Sequence, residues 1–242
     1  MTKFGRSDDL KGAEFLEVDL SGARFVESDL SGTVMRGIDI QDGDIDAPWL
    51  GTDDARLTIN GVDVVPFIDA ELNKRFPGRE NRRAEDPDGL RAAWGQVEQA
   101  WATARERAEA MPAGTVDVSV DGEWSFAQTE RHLVHATDTW LGRSILERDD
   151  PYHPLGLKYL GTDAPDATTP PYAEVLEARA GRVAMVRDLI AATTPAELDE
   201  PRKNPHNPDH PETVRHCLHV IIEEEWEHLR FATRDLDTIG SR

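Results

Sequence analysis

The chain has 242 residues and a formal net charge of −20, because it carries 47 acidic and 27 basic side chains. This charge disfavours binding to nucleic acid and to anionic membrane surfaces. No apolar run reaches the length of a membrane span, and the N-terminus lacks the apolar core of a signal peptide. Cys217 is the only cysteine, so an internal disulfide is excluded and we expect a cytoplasmic protein.

The first fifty residues carry a five-residue repeat. Large apolar residues recur at every fifth position, and small residues stand two places before several of them. The large residues are Leu10, Phe15, Leu20, Phe25, Leu30, Met35, Ile40, Ile45 and Leu50. A period of five fits neither a helix nor a strand. It resembles the pentapeptide repeat, whose coils form a right-handed quadrilateral β-helix with both residues of the pattern facing inward. Little more than two coils fit here, and we assign this segment to residues 1–63.

Four long helices are predicted for the remaining domain, residues 64–242. A short linking helix runs from Pro66 to Phe76, and the first long helix covers residues 88–111, where apolar residues recur at helical spacing. The second long helix covers residues 125–146, the third 171–193 and the last 213–236. The connections between them are long enough for crossovers, so the sequence predicts a mainly α protein with a four-helix bundle.

The second long helix offers one candidate ligand. Ser125 and Gln128 have the spacing of a capping box, in which each side chain binds the backbone N–H of the other residue. His132 falls at the border of the apolar sector and can face a groove of the bundle, whereas His135 falls nearly opposite and is predicted to be a surface residue. From this helix alone, an ordinary boundary histidine remains the alternative for His132.

The last long helix offers two more candidate ligands. Glu224 and His228 lie one turn apart on its apolar side, so both side chains can reach the same small object. A satisfied buried hydrogen bond is the more frequent role of such a pair, and it remains the alternative to a metal site. Glu225 shares the apolar sector and could be the ligand instead of Glu224. Four further residues are predicted to point away from the core: His216, His219, Glu223 and Glu227.

These residues stand within short motifs that resemble DinB-like proteins. The motifs are Trp124-Ser125 followed by His132-Leu133, the Tyr-His-Pro-Leu-Gly stretch at 152–156, Thr213-Val214-Arg215, and the run from Glu224 to His228. The resemblance implies a four-helix bundle that holds a divalent metal through one ligand from the second bundle helix and two from the last. Carried over position by position, it implies His132, Glu224 and His228 as the ligands. The branch that resembles mycothiol-dependent maleylpyruvate isomerase uses a His, Glu, His set of this kind.

The implied function follows from that ligand set. Two histidines and one carboxylate leave a coordination position open, as in catalytic zinc sites. Zinc suits these ligands, and nickel, iron and manganese stay open. In the mycothiol-dependent relatives the metal activates a thiol, so we expect mycothiol or another low-molecular-weight thiol as cofactor, and a transferase or isomerase acting on a small electrophilic substrate. The catalytic residues stay unassigned. We expect no nucleic-acid and no membrane partner, and a homodimer is the candidate assembly.

A second class of function rests on the repeats. The acidic repeat surface resembles that of DNA-mimicking repeat proteins, and in this interpretation the protein is a non-enzymatic interaction module with a structural bundle. The loop at residues 201–211 contains His206 and His210, but its prolines prevent a helix, so their spacing predicts no metal geometry. With His153 they are candidate substrate contacts at a pocket mouth. Cys217 is predicted to be a small core residue or pocket wall.

Overall fold

The computed structural model describes residues 3–5, 8–26, 28–50, 55–158 and 169–241. The chain divides into two compact units, Met1–Asp44 and Ile45–Arg242. This division falls at residue 44, whereas the sequence pattern predicts a boundary at residue 63.

Turns at ten-residue intervals organise the first unit. In each turn, the N–H of the fourth residue donates to the carbonyl of the first at 2.9–3.1 Å; the pairs are Ala13 and Leu10, Ala23 and Leu20, and Thr33 and Leu30. Glycine holds the third position of each turn with φ between 72° and 74°, a conformation that only glycine adopts without strain. An aspartate one residue before each turn accepts the N–H of the second turn residue. The repeat therefore specifies every second corner locally.

The predicted β-helix is present only in part. No strand forms among the described residues of this unit, and the large apolar side chains of the repeat are exposed. Their exposed fractions are 43% for Leu10, 55% for Phe15, 47% for Leu20, 61% for Phe25 and 47% for Leu30. The side chains that the repeat pattern directs inward are therefore not enclosed. Little more than two coils provide too few neighbouring coils to cover an interior from both sides.

The second unit is helical, as predicted. Among its described residues it contains α1 (Val65–Arg75), α2 (Pro87–Glu109), α3 (Phe126–Thr137), α4 (Tyr172–Ala192), α5 (Pro195–Leu198) and α6 (Val214–Gly240). α3 continues into a π-helix over Asp138–Ile145, which the sequence pattern did not predict. Two small antiparallel ladders complete the unit: β1 (Thr58–Ile59) pairs with β2 (Val62–Asp63), and β3 (Pro201–Arg202) pairs with β4 (Glu212–Thr213).

Side-chain caps start three of the long helices, α2, α3 and α6. The predicted capping box of α3 is confirmed, because Ser125 N–H donates to Gln128 at 2.9 Å and Gln128 N–H donates to the Ser125 hydroxyl at 3.3 Å. Asp86 accepts the N–H of Gly89 at the start of α2, and Thr213 accepts the N–H of His216 at the start of α6. Each cap satisfies a backbone donor that the first helical turn leaves unpaired.

Four helices enclose the core. α3 packs against α4 and α6, and α2 packs against the same two helices. Three tryptophans, Trp94, Trp101 and Trp226, are almost fully buried among aliphatic side chains of this bundle, and large buried aromatic side chains contribute strongly to core stability. None of the described helices combines the length and the apolar character needed to cross a bilayer.

A strap of residues 151–158 crosses α3 and its π-helical extension. A Cβ at position 142 would lie 2.7 Å from the Cβ of Pro151, so only glycine permits this close approach. Asp138 accepts the N–H of His153 at 2.8 Å and is itself held by Arg182 at 2.9 and 3.1 Å. These contacts fix the strap beside His132, which lies on α3 near the crossing.

Candidate metal centre

The structure brings His132, Glu224 and His228 together between α3 and α6. Each residue offers one ligand atom, and these atoms lie within 4.8 Å of one another. The Glu224 Oε2 atom lies 3.6 Å from His132 Nε2 and 3.3 Å from His228 Nδ1. All three side chains are largely buried, with exposed fractions of 13–14%. No other group of three potential ligands with this geometry occurs among the described residues.

Backbone carbonyls orient both imidazole rings. His132 Nδ1 lies 3.2 Å from the carbonyl of Leu157 in the strap, and His228 Nδ1 lies 2.9 Å from the carbonyl of Glu224. A carbonyl oxygen only accepts hydrogen bonds, so Nδ1 is the donor in each contact and Nε2 is the ring nitrogen left for a metal. This tautomer, with an outer partner on the second nitrogen, is the arrangement found in metal-ligating histidines.

Aromatic side chains border the three residues. The Trp124 ring lies 4.6 Å from the His132 ring, between ring centroids, and the two imidazole rings are also 4.6 Å apart. The Phe231 ring meets the His228 ring edge-on at 5.8 Å. These rings replace water on two sides of the imidazoles and lower the local dielectric, which strengthens any charge interaction there.

The buried Glu224 carboxylate lies beside the two imidazoles. Within the described part of the chain, its Oε2 atom has no hydrogen-bond partner and is inaccessible to solvent. Burial raises the pKa of Glu224, but His132 and His228 outweigh burial, and the pKa is lowered. Burial lowers the pKa of His228 to about 4, so this ring is neutral at pH 7. A cation between the three side chains would satisfy the carboxylate and use the imidazole lone pairs, so the donor set fits a divalent metal.

Glu225 belongs to a different cluster. Its carboxylate is 1% exposed and accepts a hydrogen bond from Arg179 Nη2 at 2.5 Å. Glu130 of α3 accepts from the same guanidinium at 3.0 Å. Of the two glutamates that the sequence left open as a ligand, Glu224 therefore lies with the histidines and Glu225 lies in an ion-pair network.

The surroundings of two other histidines differ from prediction. His135, predicted to be a surface residue, is half-buried and stacks on Tyr152 at 5.1 Å; burial lowers the pKa of His135 to about 4. His219, predicted to face solvent, is half-buried with its Nε2 2.9 Å from the carbonyl of Ala84. In both cases a loop covers a helix face that a helical wheel alone assigns to solvent.

The same cause accounts for Glu223 and Glu227. Both were predicted to point away from the core, yet they are only 8% and 7% exposed. The segment that follows α1 covers them, with Arg83 Nε 2.5 Å from Glu223 and Arg79 Nη2 3.4 Å from Glu227. The i, i+4 spacing of these glutamates and the run of arginines at 79–83 are the sequence signals that could have revealed this contact.

The remaining candidates do not belong to the three-residue cluster. His206 is exposed in its loop, with its ring 5.6 Å from that of Trp140, and His210 is exposed as well. His153 accepts the N–H of Leu155 through Nδ1 at 3.2 Å. Cys217 is buried as predicted, 3.5 Å from the Ser144 hydroxyl, and burial raises the pKa of its thiol. These residues therefore add no fourth ligand to the site.

Comparison with known families accounts for both sequence patterns. The family model of the DinB superfamily matches residues 96–232, more than half of the chain, and this range includes all three residues of the site. Pentapeptide repeats match residues 9–41 in eight copies. No curated protein and no solved structure matches the chain.

Proposed function

The chain belongs to the DinB superfamily, and we propose that it binds a divalent metal through His132, Glu224 and His228. The observation that carries this proposal is the buried Oε2 atom of Glu224, which lacks a hydrogen-bond partner among the described residues and lies beside two imidazoles. A buried, ionised carboxylate without a compensating cation is strongly unfavourable. Metal binding removes that penalty, and a hydrogen bond from a neutral imidazole does so only in part.

The donor set favours zinc. Imidazole nitrogen and carboxylate oxygen are common zinc ligands, and catalytic zinc sites use three protein ligands with one position open. His132 and His228 would each coordinate through Nε2, because their Nδ1 atoms face carbonyls. Nickel, iron and manganese accept similar ligands, so identification of the metal requires analysis of the purified protein.

We further propose that the site serves a thiol-dependent transferase or isomerase. A divalent ion held there supplies Lewis acidity and lowers the pKa of a thiol or water at its open position. Trp124 and Phe231 border the imidazoles and exclude water from two sides. The thiol would be mycothiol or another low-molecular-weight thiol, and the substrate a small electrophile. Support comes from the His, Glu, His ligand set, which resembles that of the mycothiol-dependent branch.

Elemental analysis tests the metal proposal. Protein purified without a metal-affinity tag from metal-replete cells should contain about one divalent ion per chain. The His132→Ala, His228→Ala double variant should contain none, while a His210→Ala variant in the exposed loop should keep the metal. Wild-type protein without stoichiometric metal would overturn the proposal.

Calorimetry tests the thiol proposal separately. The metal-loaded protein is titrated with mycothiol, bacillithiol and glutathione, and one of them should bind with measurable heat that disappears in the double variant. Absence of binding by all three would contradict the thiol-dependent activity and leave the metal proposal standing.

A second candidate function is an interaction role for the repeat unit. Its exposed Leu10, Phe15 and Leu20 favour this role, because contiguous exposed apolar surface commonly marks an interaction site. In this role the acidic surface resembles a DNA mimic and the bundle is structural. A metal-free wild-type protein from replete cells would favour this role over the enzymatic one.

A further inference from the structure

Behind the three-residue site, Arg179 of α4 connects the two helices that carry the proposed ligands. Its Nε donates to Glu130 on α3 at 3.0 Å, and its Nη2 donates to Glu225 on α6 at 2.5 Å. The three side chains are 0–1% exposed. At this depth a hydrogen-bonded charge pair is sensitive to small displacements, since any separation leaves a buried charge without its partner.

The two glutamates bound by Arg179 are close neighbours of the ligands along the chain. Glu130 precedes His132 by two residues, and Glu225 directly follows Glu224. Each step along a helix turns the side-chain direction by about 100°, so fixing the direction of Glu130 or Glu225 also fixes that of His132, two positions on, or of Glu224, one position before. A rotation of α6 that turned Glu224 away from His132 would also pull Glu225 away from Arg179.

Charge balance within the network supports this role. Arg105 of α2 donates to Glu130 at 2.6 and 3.0 Å, so two guanidinium groups compensate two carboxylates. Buried ionic groups often contribute little net stability compared with apolar residues, and in some proteins they instead specify one arrangement of the packed elements. Arg179 contacts both ligand-bearing helices, so the arrangement it specifies is the register between them.

We propose that Arg179 is a positioning residue that sets the register of α3 against α6 and thereby aligns Glu224 with His132 and His228. This inference rests on the proposed function, because it concerns the geometry of the proposed metal site. The proposed role of Arg179 requires no direct contact with the ligands. It acts through Glu130 and Glu225, and its effect is a preorganised ligand set.

A matched variant on the same helix serves as control. Arg187 lies eight residues further along α4 and pairs with Glu98 of α2 at 3.0 Å, and both partners are partly exposed. It contacts neither ligand-bearing helix through this pair. Arg187→Met therefore removes an arginine and an ion pair from the same helix without affecting the register of α3 and α6.

The test measures Co²⁺ binding to full-length, metal-free protein through the visible absorption of the bound ion, alongside urea unfolding of the same samples. Arg179→Met should weaken Co²⁺ binding roughly 10–100-fold, the range seen when outer partners of metal ligands are removed, and should change the absorption spectrum. Arg187→Met should match wild type. Arg179→Lys keeps the charge but lacks the fork that reaches both carboxylates, so it should bind with intermediate affinity.

A double variant separates positioning from stability. Arg179→Met combined with Glu225→Gln removes the unpaired carboxylate, so it should recover most of the stability in urea while Co²⁺ binding stays weak and the spectrum stays altered. It also carries the test if the single variant does not fold. Wild-type affinity and spectrum in the double variant would overturn the positioning role. Wild-type protein that binds no Co²⁺ would instead overturn the proposed function itself.

Discussion

Glu224 and Glu225 are neighbours on α6, yet their carboxylates have different surroundings. Glu225 is bound by Arg179 within a charge-balanced network, whereas Glu224 lies beside two imidazoles and its Oε2 atom has no hydrogen-bond partner within the described ranges. Both carboxylates are removed from water; among the described residues, Glu225 has a guanidinium beside it and Glu224 has two imidazoles. Burial of an acid therefore does not mark a binding site by itself. The kind of partner distinguishes the two: Glu224 of the proposed metal site lies beside two imidazoles, and Glu225 of the structural network lies beside a guanidinium.

The largest expected effect is the loss of stability when Glu225 is replaced. Glu225→Leu leaves the Arg179 guanidinium with Glu130 as its remaining acidic partner, and removing one member of a buried ion pair costs about 3–5 kcal/mol. We expect the free energy of unfolding in urea, with chelator present, to fall toward the lower end of that range. Glu98→Leu removes the partner of Arg187 at the surface and should cost less than about 1 kcal/mol. Equal losses in the two variants would contradict the contrast.

Metal binding should stabilise the folded protein through Glu224. A ligand that binds only the folded state at a hundredfold excess over its Kd adds about 2.7 kcal/mol of stability. Zinc should therefore raise the Tm of the wild-type protein, and the shift should disappear in Glu224→Leu because that variant lacks one of three proposed ligands. A full zinc-dependent shift in Glu224→Leu would remove Glu224 from the ligand set.

Without metal, replacing the two glutamates by leucine should change the stability in opposite directions. Glu224→Leu replaces an unsatisfied buried carboxylate by an apolar side chain, and leaving such a group unsatisfied costs about 1–3 kcal/mol or more. We therefore expect the metal-free variant to unfold at a higher urea concentration than metal-free wild type. A loss of stability similar to that of Glu225→Leu would show that Glu224 is a structural residue.

Low pH should destabilise the folded protein through His135. Burial lowers the pKa of His135 to about 4 from an ordinary value of 6.5, so between these values the unfolded chain binds a proton that the folded chain does not. The contribution of His135 to stability is therefore greatest above pH 6.5 and falls as the pH drops toward about 4. His135→Gln should show a smaller fall in Tm over this range than wild type, whereas His210→Gln, in the exposed loop, should follow wild type. An unchanged slope in His135→Gln would contradict this account.

Much of the helical unit could be predicted from the sequence. The spacing of Leu90, Trp94 and Val97 indicated α2, and Ser125 with Gln128 indicated the start of α3, because both signals depend on neighbours within one turn or two. The faces of His132, Glu224 and His228 could be predicted for the same reason. That these three meet followed only from the family resemblance, because helical spacing within one element says nothing about which element lies opposite.

The errors share a physical cause. Glu223 and His219 were assigned to solvent from the helical wheel, but the segment after α1 covers that face with Arg83 and Ala84. Coverage by a distant segment cannot be deduced from the helix that is covered. The local turns of the repeat unit do form, but its large apolar residues are exposed, because an enclosed interior depends on the number of stacked coils and not on the turns alone.

The most direct test is a crystal structure of the protein grown with zinc, with anomalous diffraction recorded on both sides of the zinc absorption edge. We predict one peak per chain, about 2.0–2.2 Å from His132 Nε2, His228 Nε2 and a Glu224 carboxylate oxygen, with Glu225 still bound to Arg179. A peak coordinated by Glu225, or no peak between α3 and α6 at saturating zinc, would contradict the account.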